Sequence, residues 1–260
     1  QQKFNQVLEE HLDKYFEGRE TLLGKENPLN KSLLKLTDKE LENYSNVTQG
    51  LEVPKEAITQ NLKESVELWK KTNQEIEADL IARGKLTLEQ VENRRWKPVE
   101  VITGRSREEL KQMGAEPIYY PYLAEDLLKK SDFIATTGKR TKGGFLKRFT
   151  GKLLQEDSYI KNPKIAIPRH RMQVFRDKMN GELVESIRDN FAERDPIIIK
   201  QLRQDPRLAD KLGLEEWKPA GNLRFFPIVE EGVKKGVGVT KRVENYWIPK
   251  EVAKEFIEGY

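Results

Sequence analysis

The sequence predicts a mainly α-helical protein, a bundle of long amphipathic helices with a small β-hairpin near the C-terminus. Three observations carry this. Apolar residues recur at three-to-four-residue intervals over two long stretches, Ile58 to Leu80 and Met172 to Phe191. Capping-box patterns stand at Thr37–Glu40, Thr87–Gln90 and Ser106–Glu109. Leu223 to Val229 and Val237 to Val243 are rich in aromatic and β-branched residues and are separated by Glu230 to Gly236.

Taken in order, Lys3 to Phe16 places Phe4, Val7, Leu8, Leu12, Tyr15 and Phe16 on one helical face, with Gly18 and Gly24 as stops. Pro28 to Lys35 fits helix and loop equally. Thr37 opens a short helix through Tyr44, and Asn46 to Gly50 reads as loop. Pro54 stands where a first-turn proline belongs. From it the stripe Ile58, Leu62, Val66, Trp69, Ile76 and Leu80 predicts one helix of about eight turns, ending near Gly84. That length calls for a partner helix, the first helix being the nearest candidate.

Thr87 opens a helix to Trp96. Pro98 to Thr103 reads as a short strand or packed loop, and Ser106 opens a helix that Gly114 stops. Tyr122 to Lys130 is predicted as a short helix, and Ile134 to Thr150 as a loop punctuated by Gly138, Gly143 and Gly144. Pro168 begins the second long helix, whose stripe is Met172, Phe175, Met179, Leu183, Ile187 and Phe191. Gly181 weakens it by about 1 kcal/mol relative to alanine, and Asp195-Pro196 ends it. Asp205-Pro206 caps a short helix that stops at Gly213. Pro249 starts a closing helix with Val252, Phe256 and Ile257 inward. The organisation expected is a helical part over 1–115 and a mixed part over 116–260, the latter holding the basic loop, the long helix and the hairpin.

Composition limits the chemistry. The chain has no cysteine and only two histidines, so disulfides, thiolate zinc sites, cysteine nucleophiles and histidine-rich metal sites are excluded. High Lys and Glu without Cys matches heat-adapted compositions. No run of about 18 apolar residues is present, so no membrane span is expected. The chain opens on Gln1, as a segment of a longer parent chain or a processed product would.

The net charge of +4 conceals an asymmetry. Lys139 to Lys178 holds 12 basic and 3 acidic residues, a local +9, so the remainder sums to −5. Within it Lys139, Arg140, Lys142, Lys147, Arg148 and Lys152 interleave with Phe145 and Phe149, and Arg169 and Arg171 follow at a helix start. Cations neutralise phosphates and release counterions, and exposed rings stack on unpaired bases, so these eight residues are the candidate nucleic-acid contact. The same charges can instead pair with acidic helices, with the two rings as buried anchors.

No catalytic constellation stands out. His11 reads as a packed histidine. His170, between Arg169 and Arg171 at a helix start, is disfavoured from protonation and could contact phosphate or act as a base. Carboxylates are abundant but lie on lysine-rich solvated faces. A metal-dependent enzyme built from Asp and Glu alone stays open as an alternative. The glycine loop at Gly143-Gly144 lacks the Walker spacing. Gly236-Val237-Gly238 precedes a predicted strand where a dinucleotide fingerprint follows one. No cofactor is implied.

Three stretches together carry a resemblance. Pro117-Ile118-Tyr119-Tyr120-Pro121-Tyr122 resembles a tyrosine-proline signature of very large, multi-segment proteins of tailed bacteriophages. Gly144-Phe145-Leu146-Lys147-Arg148 is similar to the basic stretch that follows it there. Tyr246-Trp247-Ile248-Pro249-Lys250-Glu251-Val252-Ala253 resembles their recurrent aromatic-Pro-Lys-Glu-Val-Ala segment. The likeness spans about residues 84–260, and Tyr122 stands where the pattern has His. It implies a helical scaffold segment of a polyvalent protein that is packaged in the virion and enters the host with the DNA. The implied partners are other virion proteins, a longer parent chain, or DNA. The implied location is the virion, then the host cytoplasm after entry. No catalytic residue is implied. Three classes thus remain: a non-enzymatic structural or interaction protein of a phage particle, a nucleic-acid-binding module using 139–178, and a carboxylate-dependent enzyme module.

Overall fold

The structure is a computed structural model and describes residues 2–121, 123–124, 159–160, 162–217 and 246–259. The described chain is mostly α-helical, with a small antiparallel strand pair near the C-terminus. It forms two compact units. The central unit is Arg19–Val174. The terminal unit is discontinuous, built from Gln1–Gly18 and Phe175–Tyr260. The boundary expected at 115/116 falls within the central unit.

The central unit takes the end of α1 (Gln2–Leu23), then α2 (Pro28–Leu34), α3 (Asp38–Thr48), a single 3-10 turn (Lys55–Ala57), α4 (Gln60–Ala82), α5 (Leu88–Thr103) and α6 (Arg107–Gln112). A minimal antiparallel pair follows, β1 (Leu123–Ala124) and β2 (Tyr159–Ile160), in register Leu123↔Ile160. The unit closes with the first three turns of α7 (Pro163–Phe191). Here α4 packs against α2 and α3.

Several local expectations are corrected. The stretch 28–35 is helical because Asn27 caps it, its side chain accepting from the Leu29 and Asn30 amides, with Pro28 at the first position. α3 runs on through Asn46–Thr48, and the turn comes at Gly50 (φ 66°). Pro54 opens only the 3-10 turn, and the long helix starts at Gln60 behind Thr59, which accepts from Leu62. Residues 98–103 are neither strand nor loop but the last turns of α5. Pro98 is buried there and forgoes the bond to the Arg94 carbonyl, a concession offset by packing. Gly104 at φ 67° then ends the helix.

All three capping boxes form as the sequence predicts. Residues 123–124 are extended rather than helical; the rest of the helix expected over 122–130 lies outside the described residues, as do Phe145 and Phe149. α7 begins at Pro163, not Pro168. Asn162 is its cap, accepting from Lys164 N at 2.9 Å, and Pro168 is absorbed in its second turn.

The core of the central unit is Leu29, Leu33, Leu41, Tyr44, Leu62, Val66 and Trp69, closed by Tyr119, Tyr120 and Ile167. Each fully buried large apolar side chain contributes about 1.5–3 kcal/mol. A polar pin runs through it: Tyr44 Oη donates to Ser65 O at 3.0 Å, and Ser32 Oγ lies 3.1 Å from Ser65 Oγ, joining α2, α3 and α4.

The terminal unit combines α1 up to Gly18, α7 from Phe175, α8 (Pro196–Gln204), α9 (Leu208–Leu212), β3 (Leu214–Trp217), β4 (Tyr246–Pro249) and α10 (Lys250–Gly259). β3 and β4 pair antiparallel from Leu214↔Pro249 to Trp217↔Tyr246. The two strands predicted at 223–229 and 237–243 lie outside the described residues. The pair that is described flanks them, and the closing helix starts at Lys250, one residue after Pro249. Phe4, Leu183, Val184, Ile187, Trp217, Ile248 and Val252 form one core; Leu202, Ala209 and Trp247 form a second. The expected stripe of α7 is confirmed by the burial of Met172, Met179, Leu183 and Ile187. Gly18 does not end α1. A Cβ there would sit 2.6 Å from the Phe175 ring, so this glycine serves close approach, and Gly24 follows the helix end.

Candidate functional site

The aromatic-proline stretch 117–121 is the node of the central unit. Pro117, Tyr119, Tyr120 and Pro121 are buried, Tyr120 to 1% exposure. Its backbone is held on both sides. Ile118 N donates to Thr48 O at 2.9 Å, at the end of α3, and Trp69 Nε1 on α4 donates to Tyr119 O at 2.9 Å. Two prolines fix φ at the ends of this short run and remove two amide donors from a buried environment, so fewer groups need partners.

His170 belongs to the same node. It is 4% exposed, with the Tyr119 ring centroid at 5.2 Å and the Trp69 ring at 6.2 Å. The Arg94 guanidinium lies 4.0 Å from the Tyr119 ring centroid. Burial, with Arg94 adding a like-charge penalty, pushes the His170 pKa down to about 3. The imidazole is therefore neutral across the physiological range, and its ring is used in packing. The reading of His170 as a base or phosphate contact finds no open approach here.

The eight basic candidates divide. Lys139, Arg140, Lys142, Lys147, Arg148 and Lys152 lie outside the described residues. Arg169 is half-buried on the first part of α7. Arg171 is 6% exposed and turned inward, its Nη1 donating to Asn30 Oδ1 at 3.0 Å and reaching Asn27 Oδ1 at 3.4 Å. Those asparagines already organise the α1–α2 junction. Asn27 caps α2, and Asn30 Nδ2 donates to the Leu22 and Gly24 carbonyls at 3.1 Å each. Arg171 thus ties α7 to that junction.

Carboxylates in this unit are similarly engaged. Glu77, buried on α4, forms a bidentate pair with Arg95 through Nε at 3.3 Å and through Nη2. Glu40 accepts from Thr37 N at 2.6 Å, Thr37 Oγ1 at 2.8 Å, and the Thr59 hydroxyl. One carboxylate so fastens the starts of α3 and α4. The Thr59 bond first, then that of the Thr37 amide, holds the Glu40 pKa below its ordinary value. Among the described residues no group of three or more His, Asp or Glu is placed to hold a metal ion, and no helix is long and apolar enough to cross a membrane.

In the terminal unit, the stretch 246–253 is also framework. Trp247 and Ile248 on β4 and Val252 and Ala253 on α10 are all buried. No family model, curated protein or solved structure matches the chain.

Proposed function

We propose that this chain is a non-enzymatic structural or interaction segment of a bacteriophage particle, carried in the virion as part of an internal or ejected protein and delivered to the host cytoplasm with the DNA. In this role the aromatic-proline turns hold helices together, and the basic segment 139–178 meets DNA or an acidic virion protein. The observation that carries the reading is that both described stretches of the resemblance, 117–121 and 246–253, are core elements of their units. A signature spent on helix packing is what a scaffold segment needs, whereas a catalytic signature keeps polar groups at a cleft. The test is to purify particles of the phage that encodes the chain and digest them with protease. A scaffold of this kind is found inside intact particles, protected, and is lost from them on DNA ejection. Absence from purified particles would overturn the proposal.

The charge of 139–178 favours a second reading, a nucleic-acid contact made by Lys139, Arg140, Lys142, Lys147, Arg148, Lys152 and Arg169, with Arg171 left as a structural residue. Fluorescence anisotropy with single- and double-stranded DNA over a salt series tests it. Affinity should fall steeply with salt and vanish when Lys139, Arg140, Lys142, Lys147 and Arg148 become Glu. Absence of binding at low salt sinks this reading and leaves the segment to a protein partner.

A further inference from the structure

A cleft of about 350 Å³ in the terminal unit collects three arginines that the basic segment does not include: Arg188, Arg194 and Arg203. Arg188 lies in the last turn of α7, Arg194 in the turn that follows, and Arg203 in the last turn of α8. Tyr246 and Trp247 on β4 also line it, Tyr246 half-buried and Trp247 buried against Leu202 and Ala209, brought there by a backbone bond from Glu193 N to Trp247 O at 2.8 Å.

The two acidic residues of the cleft are already occupied. Glu193 Oε1 accepts from the Arg194 and Asp195 amides at 2.9 Å each. Asp189 Oδ1 accepts from Arg188 Nε at 2.8 Å and lies 3.5 Å from Arg194 Nη2, which also donates to the Asp189 carbonyl at 2.7 Å. These bonds fix the two guanidiniums in place. Each guanidinium has five N–H donors; the bonds to Asp189 engage one nitrogen of each, and Arg188 is also hydrogen-bonded to the Tyr246 side chain, which leaves further donors on both. Two fixed cations, with Arg203 as a third arginine of the lining and two engaged carboxylates beside them, make a recess of net positive charge, and planar guanidinium forks match the oxygens of a phosphate. The volume suits a small ligand, and the Tyr246 ring beside a cationic recess suits a planar base attached to that phosphate.

We propose that this cleft binds the phosphate of a nucleotide, with Arg188, Arg194 and Arg203 around the phosphate and Tyr246 beside the base. The site shares no residue with segment 139–178 and does not rest on the virion reading. Isothermal titration calorimetry on the full chain at low ionic strength tests it with three probes: inorganic phosphate, adenosine monophosphate and a short oligothymidylate. The monophosphate should bind more tightly than inorganic phosphate. Arg194→Gln, at a side chain 68% exposed and so without cost to the fold, should weaken it about tenfold or more. Asp189→Asn, which removes a negative charge beside the cleft while its side-chain oxygen can still accept from Arg188 Nε, should tighten it several-fold, an effect that misfolding does not produce. Oligothymidylate binding that responds to both substitutions identifies nucleic acid as the source of the phosphate; binding by the monophosphate alone identifies a free nucleotide. No binding of phosphate or monophosphate at millimolar concentration, or binding that neither substitution changes, would overturn the proposal.

Discussion

The indole N–H of Trp69 donates to the backbone carbonyl of Tyr119 at 2.9 Å, across fifty residues of chain and inside the core. This bond fastens the aromatic-proline run to α4. Trp69→Phe keeps most of the ring but leaves a buried carbonyl without its donor. The expected cost is about 1–3 kcal/mol. Urea unfolding followed by far-UV circular dichroism measures it, and an unchanged midpoint would show that the bond contributes nothing.

His170 makes stability depend on pH. Its folded pKa, about 3, is far below the unfolded value near 6.5. The unfolded chain therefore binds the proton more readily between those values. The stabilisation is complete above pH 6.5 and is lost as pH falls towards 3, by at most about 1.4 kcal/mol per pH unit. Comparing unfolding free energies of wild type and His170→Phe at pH 7.5, 6 and 5 isolates the effect. The difference between the two proteins should shift in favour of the variant as pH falls, and parallel profiles would contradict the assignment.

Glu40 joins two helix starts, so Glu40→Gln should cost about 1 kcal/mol, the scale of a lost cap. Because its pKa is depressed in the fold, its contribution is present above the ordinary glutamate range and disappears as pH falls through the lower, folded value. A double-mutant cycle with Thr59→Ala should give a non-zero coupling energy. Additive effects would mean that the Glu40–Thr59 contact carries no stability.

Asn73 is 1% exposed on α4, and neither of its side-chain amide atoms has a partner among the described residues. Burial of an unsatisfied amide costs about 1–3 kcal/mol. Asn73→Leu, close in volume and apolar, should therefore raise the melting temperature by roughly 2–4 °C or more for a chain of this size. Calorimetry decides it, and a lower melting temperature would reveal a polar role for Asn73.

What was legible in the sequence was local. Thr37, Thr87 and Ser106 declare their helices because a capping box is satisfied within four residues, whatever the rest of the chain does. The stripe from Leu62 to Leu80 is legible for the same reason. The prolines misled where burial outweighed backbone preference. Pro98 and Pro168 read as boundaries, yet each is carried inside a helix, and the true starts were marked by Thr87 and Asn162. Arg171 read as a surface cation because its partners, Asn27 and Asn30, lie more than 140 residues away. The cleft escaped notice since Arg188, Arg194 and Arg203 share no helical period and meet Trp247 only through a tertiary backbone bond.

Phe4 lies in the same core as Ile248 and Val252. During synthesis those partners emerge 244 and 248 residues after Phe4 (248 − 4 and 252 − 4). At about 5–20 residues per second, that core is complete only on the order of 12–50 s after Phe4 has been made. The central unit, contiguous from Arg19 to Val174, has all its residues in hand much earlier. The contiguous unit is therefore complete before the discontinuous one, and the apolar face of α1 around Phe4 stays open to a chaperone for longer than the core of the central unit does.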